Sequence, residues 1–364
     1  MNYNKIRRKS RSVKIGNVYM GGTAPIVIQT MANTDTHDQK ATVAQFLALA
    51  DAGSDIVRIA VPDLEAAETV KFIRQVGISV PIVADIHFDW KIALKCAEYG
   101  VDKIRINPGN IGDEERVRAV CDICKSKGIP IRIGVNSGSL EKTILAKYGA
   151  PTAQALCDSA LYHASLLEKF GFEDTVLSIK SSNVSDMIAS NRLLAQKCDY
   201  PIHLGVTEAG SENIGVVKSA VGIGALLCDG IGDTIRVSLT DDPLKEVEAA
   251  KKILKALNIE GQAGMDIISC PTCGRTCIDL IEIVKRFENA VAEQKLGDIP
   301  IKVAIMGCAV NGPGEAREAD IGIAGGKGEA LLISHGEIIG KVPENEVVET
   351  LISYIKDFKN KTTK

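Results

Sequence analysis

The sequence predicts an α/β protein whose larger part is a TIM (β/α)8 barrel, followed by a small α+β domain. Short β-branched runs alternate with amphipathic stretches eight times over about 230 residues, which is the size and rhythm of such a barrel. Most of these runs are continuously apolar, as expected for parallel strands covered on both faces. The first run ends in Gln29 and Thr30 without a following G-x-G-x-x-G, which argues against a doubly wound open sheet.

The predicted elements follow from hydrophobic periodicity and capping residues. The eight strands are expected at 26–30, 56–61, 82–87, 103–107, 131–136, 175–181, 202–207 and 234–240. The helices between them include 41–52, 63–76, 114–127, 153–169 and 244–257. Asp63 and Asp113 are the expected N-caps of two of them, and several of these stretches end at a glycine.

Two domains are predicted, at residues 1–258 and 259–364. The first is the barrel, which binds the substrate, with an N-terminal hairpin at 13–23 that closes the bottom of the barrel. The turn of this hairpin is expected at Gly21 and Gly22. Residues 258–264 are a short polar connection. The second domain contains strands at 302–306, 321–324 and 331–334 and a glycine-rich loop.

The bulk composition excludes several classes of protein. The chain has 364 residues, a net charge of −3 and no apolar run long enough for a membrane span. We therefore expect no membrane and no nucleic-acid partner. The basic leader up to Arg11 precedes no apolar segment, so it is expected to be solvated and is not a secretory signal. Ten cysteines without such a signal indicate a reducing, cytoplasmic location.

Charged and polar side chains are concentrated at the predicted carboxyl ends of the barrel strands, where TIM barrels carry their chemistry. These positions are Arg58, Asp85, His87, Arg105, Asn107, Arg132, Asn136, Lys180, Ser182, Thr207, Glu208, Arg236 and Ser238. Four arginines and one lysine brought to one rim would repel each other unless an anion bound there. Guanidinium groups bind phosphate oxygens bidentately. The pattern therefore predicts a substrate with more than one phosphate group, or a dianion of similar charge density.

Three acid–base candidates lie on the same rim. Glu208 and Asp85 are its main acids, and either could orient a hydroxyl group or move a proton. His87 is expected on the same face as Asp85 because it lies two residues further along the strand. We interpret His87 as facing the substrate, although a histidine at a strand end is often only hydrogen-bonded.

Cys270, Cys273 and Cys308 are the expected metal ligands. The first two form a Cys-Pro-Thr-Cys turn, in which backbone amides point at the sulfur atoms. Cys308 follows a predicted strand and enters a Gly-Pro-Gly segment that lets the backbone fold tightly around an inorganic core. Cys121 and Cys124 also form a C-x-x-C pair, but they lie within a predicted helix and are expected to be packed thiols, as are Cys96, Cys157, Cys198 and Cys228.

The spacing leaves two questions open at this metal site. The fourth ligand could be Cys277, which is expected at the start of a helix reaching residue 283, or Glu315. The metal could be zinc, because C-P-x-C-G opens many zinc ribbons. Zinc ribbons usually close with a second C-x-x-C or a histidine pair, and no such pair occurs near Cys308. The single distant cysteine therefore favours an iron–sulfur cluster.

Taken together, these motifs closely resemble those of the bacterial 4-hydroxy-3-methylbut-2-enyl diphosphate synthase family. They are QTMANTDT from Gln29, DIHF from Asp85, RINPGN from Arg105, RIGVNSGS from Arg132, SIKSS from Ser178, GVTEAG from Gly205, RVS from Arg236, CPTCGR from Cys270 and GCAVNGPGE from Gly307. The similarity covers nearly the whole chain in the same order. No extra domain separates the barrel from the C-terminal domain, as in the two-domain type.

The resemblance implies a [4Fe–4S] cluster on Cys270, Cys273 and Cys308, with Glu315 as a carboxylate ligand. It implies that 2-C-methyl-D-erythritol 2,4-cyclodiphosphate is reductively opened to 4-hydroxy-3-methylbut-2-enyl diphosphate in the non-mevalonate isoprenoid pathway. Reduced flavodoxin or ferredoxin would supply the electrons. The protein would be a homodimer in which the cluster domain of one subunit closes the barrel of the other. Glu208, with Thr207 beside it, would donate a proton or anchor the substrate.

Two other classes of function compete with this one. The first is a zinc-dependent TIM-barrel lyase or hydrolase that acts on a sugar phosphate. The second is a non-catalytic metal-binding module, which would need a protein or nucleic-acid partner. The net negative charge offers little support for such a module.

Overall fold

The computed structural model of the chain describes residues 6–259, 264–310 and 312–362. The chain divides into two compact units, Met1–Gly261 and Gln262–Lys364. The predicted connection at 258–264 falls largely outside the described residues. No described helix is long and apolar enough to cross a membrane.

The first unit contains eight parallel strands arranged as a barrel. In chain order they are β3 (Val27–Met31), β4 (Ile56–Ala60), β5 (Ile82–Asp85), β6 (Lys103–Ile106), β7 (Ile131–Asn136), β8 (Thr175–Lys180), β9 (His203–Leu204) and β10 (Thr234–Ile235). Consecutive strands pair from β3 to β8, and β10 lies between β3 and β9. A parallel bridge between Leu177 and Ile202 closes the ring. The predicted TIM barrel is therefore confirmed.

The last two barrel strands are shorter than predicted. Each forms only two ladder residues, followed by one further bond from the Arg236 amide to the Leu204 carbonyl, 2.9 Å long. Beyond that bond the two segments leave the ladder, and a further bond between them runs from the Thr240 amide to the Gly210 carbonyl, 3.0 Å long. Gly205 and Thr207 after β9, and Arg236 and Ser238 after β10, then lie in the loops of the barrel mouth. The sequence pattern predicted strand here because the apolar residues Val206, Val237 and Leu239 alternate with these loop residues.

Helices surround the barrel and follow the predicted periodicity closely. The described helices of this unit are α1 (Gln39–Asp51), α2 (Leu64–Gln75), α3 (Trp90–Glu98), α4 (Pro108–Ile111), α5 (Glu114–Lys127), α6 (Lys142–Tyr148), α7 (Ala153–Lys169), α8 (Val184–Lys197), α9 (Glu212–Cys228) and α10 (Pro243–Ala256). Asp63 caps α2 by accepting from the Ala66 amide at 2.8 Å, and Asp113 caps α5 at 3.1 Å from the Arg116 amide. Both predicted caps are confirmed.

An N-terminal hairpin lies across the bottom of the barrel. It pairs β1 (Val13–Ile15) with β2 (Val18–Met20), and its turn is at Gly16 and Asn17 rather than at Gly21 and Gly22. Gly16 has φ +56°, which the first central residue of such a tight hairpin turn requires. The hairpin's buried side chains form an apolar bottom layer with inward residues of four strands: Val13, Ile15, Met20, Val27, Ile56, Val83 and Val176.

The described part of the basic leader is fastened to the bottom of the barrel, which corrects the prediction of a solvated segment. Arg7 donates to Asp233 at 2.8 Å, and its side chain is only 5% exposed. Asp233 also accepts from the Ser10 hydroxyl and from the Ile202 amide. Arg8 donates to the Cys198 carbonyl at 2.6 Å. The sequence could not indicate this because the partner acid lies more than 200 positions further along the chain.

The second unit is an α+β fold, as predicted. Its sheet has the order β11 (Asp266–Ser269), β12 (Lys302–Met306), β13 (Ile321–Gly325), β14 (Glu329–Ser334) and β15 (Glu337–Pro343). The first three strands are parallel and the last two antiparallel. Helices α11 (Leu280–Glu293) and α13 (Val347–Thr362) share a buried apolar cluster with one face of the sheet.

The segment around the cysteines differs from the prediction in two places. Helix α11 begins at Leu280, so Cys277 lies in irregular chain before it rather than at its first turn. Asp279 caps the helix by accepting from the Glu282 amide at 3.2 Å, which fixes the start of the helix after Cys277. The glycine-rich loop contains one helical turn, α12 (Gly312–Glu315).

We predict that Asp233→Ala lowers the melting temperature of the barrel by on the order of 10 °C, because it removes the buried carboxylate that accepts from Arg7, Ser10 and the Ile202 amide. The matched control is Asp199→Ala, which removes the exposed ion pair with Arg11. This control should change the melting temperature by no more than about 3 °C. Circular dichroism melts of both variants measure the difference. Equal shifts in the two variants would contradict the assignment of Arg7 to the barrel.

Candidate active site

A polar pocket opens at the carboxyl ends of the barrel strands, where the sequence placed the chemistry. Its volume is about 80 Å³. The lining residues come from β4, β6, β7 and β8 and from the segments after β9 and β10: Arg58, Arg105, Arg132, Gly134, Asn136, Ser178, Lys180, Thr207, Arg236 and Ser238. The four predicted arginines and the predicted lysine therefore meet in one cavity.

Asp85, at the end of β5, holds two of these arginines. Its carboxylate accepts from Arg58 at 2.6 Å and from Arg105 at 3.0 Å, and all three side chains are buried. Burial raises the pKa of Asp85, but the charges of Arg58 and Arg105 outweigh it and hold the pKa well below its usual value. Asp85 is therefore ionised at neutral pH and serves as the shared counter-charge of the two guanidinium groups. His87 lies 3.3 Å from Arg105 through Nε2.

Arg132 and Lys180 carry charge that no described acid pairs directly. Arg132 is 1% exposed, and its Nε and Nη1 have no hydrogen-bond partner among the described residues. Burial, followed by the charges of neighbouring arginines, lowers the pKa of both side chains. Unpaired buried donors are costly to a protein unless a ligand satisfies them. The arrangement is therefore suited to binding an anion.

Arg236 has a counter-charge that the sequence did not indicate. Glu246, on α10, accepts from its Nη2 at 3.3 Å and is 4% exposed. The same carboxylate accepts from the Thr30 hydroxyl at 3.0 Å and from the Leu239 amide at 3.1 Å. Glu246 thus ties β3, the segment after β10 and α10 together around Arg236. Its position in an amphipathic helix made it resemble an ordinary solvated residue, and only its spacing on the buried face could have revealed it.

Gly134 on β7 leaves the room that Arg105 occupies. A Cβ atom at this position would lie 2.6 Å from Arg105 Nε and 2.8 Å from Nη2. Because Arg105 is buried and bound to Asp85, it cannot move aside without losing that bond. A glycine inside an otherwise apolar strand is a sequence signal for such a close approach.

The remaining predicted residues lie at different distances from this pocket. Asn136, Thr207 and Ser238 line it. Asn107 is buried next to it and accepts from the Gly109 amide at 3.0 Å, which caps α4. Ser182 is exposed and outside the described lining, whereas Ser178, which was not among the predicted site residues, lines the pocket. Ser178 faces inward because it lies two residues before Lys180 on the same strand.

Glu208 is exposed beside the pocket and does not line it. Its φ of +51° is in the left-handed region, which a non-glycine residue adopts at a cost of order 1–3 kcal/mol. Such strain is concentrated at functional sites. The preceding residue, Thr207, remains attached to the barrel through the bond from its amide to the Ser181 carbonyl, 3.3 Å long.

In the second unit, Cys270 and Cys308 follow neighbouring parallel strands. Ser269 and Ile305 are Cα partners, so the chain leaves both strands at the same edge of the sheet. The Gly307 amide donates to the Cys270 sulfur at 3.2 Å. The Arg275 amide, followed by its guanidinium, lowers the pKa of Cys273. The lowered pKa favours the thiolate of Cys273, which is the form that binds a metal.

The other candidate ligands and the remaining cysteines differ in exposure and in hydrogen bonding. Glu315 is exposed at the end of α12. The Cys277 thiol donates to the Arg275 carbonyl at 3.2 Å. Cys121 is buried in α5 beside Cys124, and burial raises the pKa of Cys121 to about 12, as expected for a packed thiol. Cys228 is exposed, so the prediction of a core thiol is wrong for this residue. Among the described side chains, no three potential ligands are already grouped around a metal position.

Fold and site together define an α/β-barrel enzyme with a pocket for a multiply charged anion and a separate thiol-bearing unit. Two family models match the chain: the GcpE TIM-barrel domain over residues 10–251 and the GcpE protein C-terminal domain over residues 266–357. The chain therefore belongs to the GcpE family, the oxidoreductases named 4-hydroxy-3-methylbut-2-en-1-yl diphosphate synthase.

Individual relatives agree with this assignment. The 4-hydroxy-3-methylbut-2-en-1-yl diphosphate synthase (flavodoxin) of Clostridium perfringens is 58% identical over 96% of this chain and 99% of its own length. The enzyme of the same name from Ruminiclostridium cellulolyticum is 54% identical over 96% of this chain and 98% of its own length. Among solved structures, dihydropteroate synthase from Stenotrophomonas maltophilia superposes with a TM-score of 0.50 at 16% identity, covering 68% of this chain and 98% of that one. That similarity shows the fold alone.

We predict that Gly134→Ala weakens binding of the diphosphate substrate roughly tenfold, because the new Cβ displaces Arg105 and removes a charged hydrogen bond. Gly138→Ala is the matched control, since a Cβ there meets nothing within 4 Å. Isothermal titration calorimetry of both variants provides the comparison. Unchanged affinity in Gly134→Ala would show that Arg105 is not held where the structure places it.

Proposed function

We propose that this chain converts 2-C-methyl-D-erythritol 2,4-cyclodiphosphate into 4-hydroxy-3-methylbut-2-enyl diphosphate. The reaction opens the ring at one phosphate ester, removes a hydroxyl group as water and consumes two electrons. The observation that carries the proposal is the pocket in which Arg58, Arg105, Arg132, Lys180 and Arg236 converge. Membership of the family indicates which reaction is catalysed, and the cationic pocket is suited to binding the diphosphate of the substrate.

The diphosphate is expected to bind the donors that lack protein partners. Arg132 offers its free Nε and Nη1, and Lys180 offers a buried amino group that lines the same pocket. Guanidinium groups bind phosphate oxygens in pairs, whereas lysine acts as a point charge. Arg58 and Arg105 remain bound to Asp85 when the substrate binds. Their guanidinium groups are therefore already oriented before the substrate enters the pocket. Asn107, Asn136 and Ser238 would complete the polar contacts, with Asp85 and His87 beneath and beside them.

Cys270, Cys273, Cys308 and Glu315 would hold a [4Fe–4S] cluster. The amide bond to Cys270 and the lowered pKa of Cys273 fit thiolate ligation, and the thiol of Cys277 is engaged with a carbonyl instead. A carboxylate ligand is more labile than a thiolate, so Glu315 would be the ligand that exchanges most readily. When bound, such a cluster supplies electrons and polarises a carbon–oxygen bond.

Glu208 and Thr207 are proposed as the residues that act on the substrate from the barrel side. Glu208 would donate a proton to the departing oxygen or hold the hydroxyl that carries it. Its left-handed φ supports this role, because such backbone strain is concentrated at functional sites. Thr207 lines the pocket and would orient the same part of the substrate.

The remaining partners follow from the family. The relatives carry flavodoxin in their names, so we propose reduced flavodoxin as the electron donor, with ferredoxin as the alternative. We propose a cytoplasmic homodimer in which the C-terminal unit of one subunit closes the barrel of the other. The two rival functions, a zinc lyase or hydrolase and a non-catalytic module, gain no support from family membership.

The proposal is tested by anaerobic turnover of the cyclic diphosphate with reduced flavodoxin and mass-spectrometric identification of the product. We expect 4-hydroxy-3-methylbut-2-enyl diphosphate, formed by a brown protein that contains about four irons per chain. A colourless protein containing one zinc and forming no such product would refute both the reaction and the cofactor.

Glu208→Gln is expected to retain the cluster's visible absorbance and to lose a factor of about 10² to 10⁴ in kcat, which is the range for general acid–base catalysis. Glu212→Gln is the control, because this exposed carboxylate begins the next helix and pairs only with Lys245 among the described residues. Wild-type turnover in Glu208→Gln would remove Glu208 from the mechanism.

A further inference from the structure

Lys103 is a buried lysine in the barrel interior that no motif indicated. It is the first residue of β6, two positions before Arg105 and on the same face of the strand. Its exposure is 0%, and its Nζ has no hydrogen-bond partner among the described residues. Val83, its Cα partner on β5, belongs to the apolar bottom layer. Lys103 therefore lies level with this apolar layer, two residues below Arg105, which lines the cationic pocket.

The charge around Lys103 is mostly of its own sign. The cationic side chains that face the interior from the other barrel elements are Arg58, Arg105, Arg132, Lys180 and Arg236. The acids among the described residues that face it are Asp85 and Glu246, and both are bound to arginines. His203 on β9 is also fully buried, and its Nδ1 lies 3.3 Å from the Thr234 hydroxyl. The barrel interior thus holds more potential positive charge than negative charge.

Only the lysines and the histidine can relieve this excess, because arginine keeps its proton in proteins. Burial, followed by the charges of Arg132 and Arg58, lowers the pKa of Lys103 far below its usual value. Burial and the surrounding cations lower the pKa of Lys180 and His203 in the same way. Without an anion, an unpaired buried ammonium is more costly than a neutral amine.

A bound diphosphate reverses this balance. Its two negative charges offset the repulsion from the arginines, so an ammonium group near it becomes more stable than an amine. On the basis of the proposed function, we propose that Lys103 is a buried proton acceptor two residues below the pocket-lining Arg105, and that substrate binding is coupled to proton uptake by Lys103, with Lys180 as the second acceptor.

The sign of the pH dependence follows from this coupling. The complex binds more protons than the free enzyme. Affinity for the substrate therefore falls as pH rises from the pKa of the lysine in the free enzyme to its pKa in the complex. The substrate itself contributes no proton in this range, because each phosphorus of the cyclic diphosphate carries a single, strongly acidic hydroxyl. Any proton exchanged with the buffer therefore comes from the protein.

Calorimetry of the oxidised holoenzyme tests the proposal under anaerobic conditions, with the cyclic diphosphate and without an electron donor. Titrations at one pH in buffers of different ionisation enthalpy give the number of protons taken up from the slope of the observed enthalpy. We expect an uptake of roughly half a proton to one proton per site. Binding with zero slope would overturn the proposal while leaving the proposed function intact. Absence of binding would refute the proposed function as well.

Variants of Lys103 test whether this residue takes up the proton when the substrate binds. Lys103→Met removes an unpaired buried amine and should fold, and Lys103→Gln is a second variant of similar length. We expect either variant to bind the substrate about tenfold more weakly and with a smaller slope than the wild type. Lys91→Met, at an exposed position on α3, is the matched control and should retain the wild-type slope. An undiminished slope in the Lys103 variants would exclude Lys103 as the acceptor.

Discussion

The carboxylate of Asp85 stands between the guanidinium groups of Arg58 and Arg105, and the rest of the site depends on this interaction. Two arginines from different strands could not share a small buried cavity without a counter-charge. By neutralising part of the repulsion, Asp85 allows Arg132, Lys180 and Arg236 to face the same space. Glu246 makes the corresponding contribution for Arg236 from outside the strand ring. Together the two acids keep the excess of positive charge small enough to fold and large enough to bind an anion.

The barrel provides the geometry that this balance requires. Parallel strands end at one edge, so single residues on β4, β6, β7 and β8 reach a common cavity. The bottom layer of Val27, Ile56, Val83 and Val176 is apolar and covered by the hairpin, so the charged layer is open to water only at the mouth. Low local polarity on one side strengthens every electrostatic interaction above it.

Much of this architecture could be predicted from the sequence, because its signals are local. Each strand is a short apolar run with a charged or polar residue at its end, and Cys270 and Cys273 lie in one recognisable turn. Glu246, Asp233 and Lys103 were missed because their roles depend on partners or surroundings contributed by distant parts of the chain. Ser182 was chosen as a site residue although Ser178 lines the pocket, because β8 ends at Lys180 and the alternation that places Ser178 and Lys180 inward does not continue to Ser182.

The most direct test of whether the buried cations form the diphosphate site is a crystal structure of the anaerobic, oxidised protein with the cyclic diphosphate bound. We expect both phosphate groups in the barrel mouth, with oxygens within hydrogen-bonding distance of Arg132 Nε or Nη1 and of Lys180 Nζ. Phosphate groups bound outside this pocket, with Arg132 still lacking a partner, would contradict this assignment.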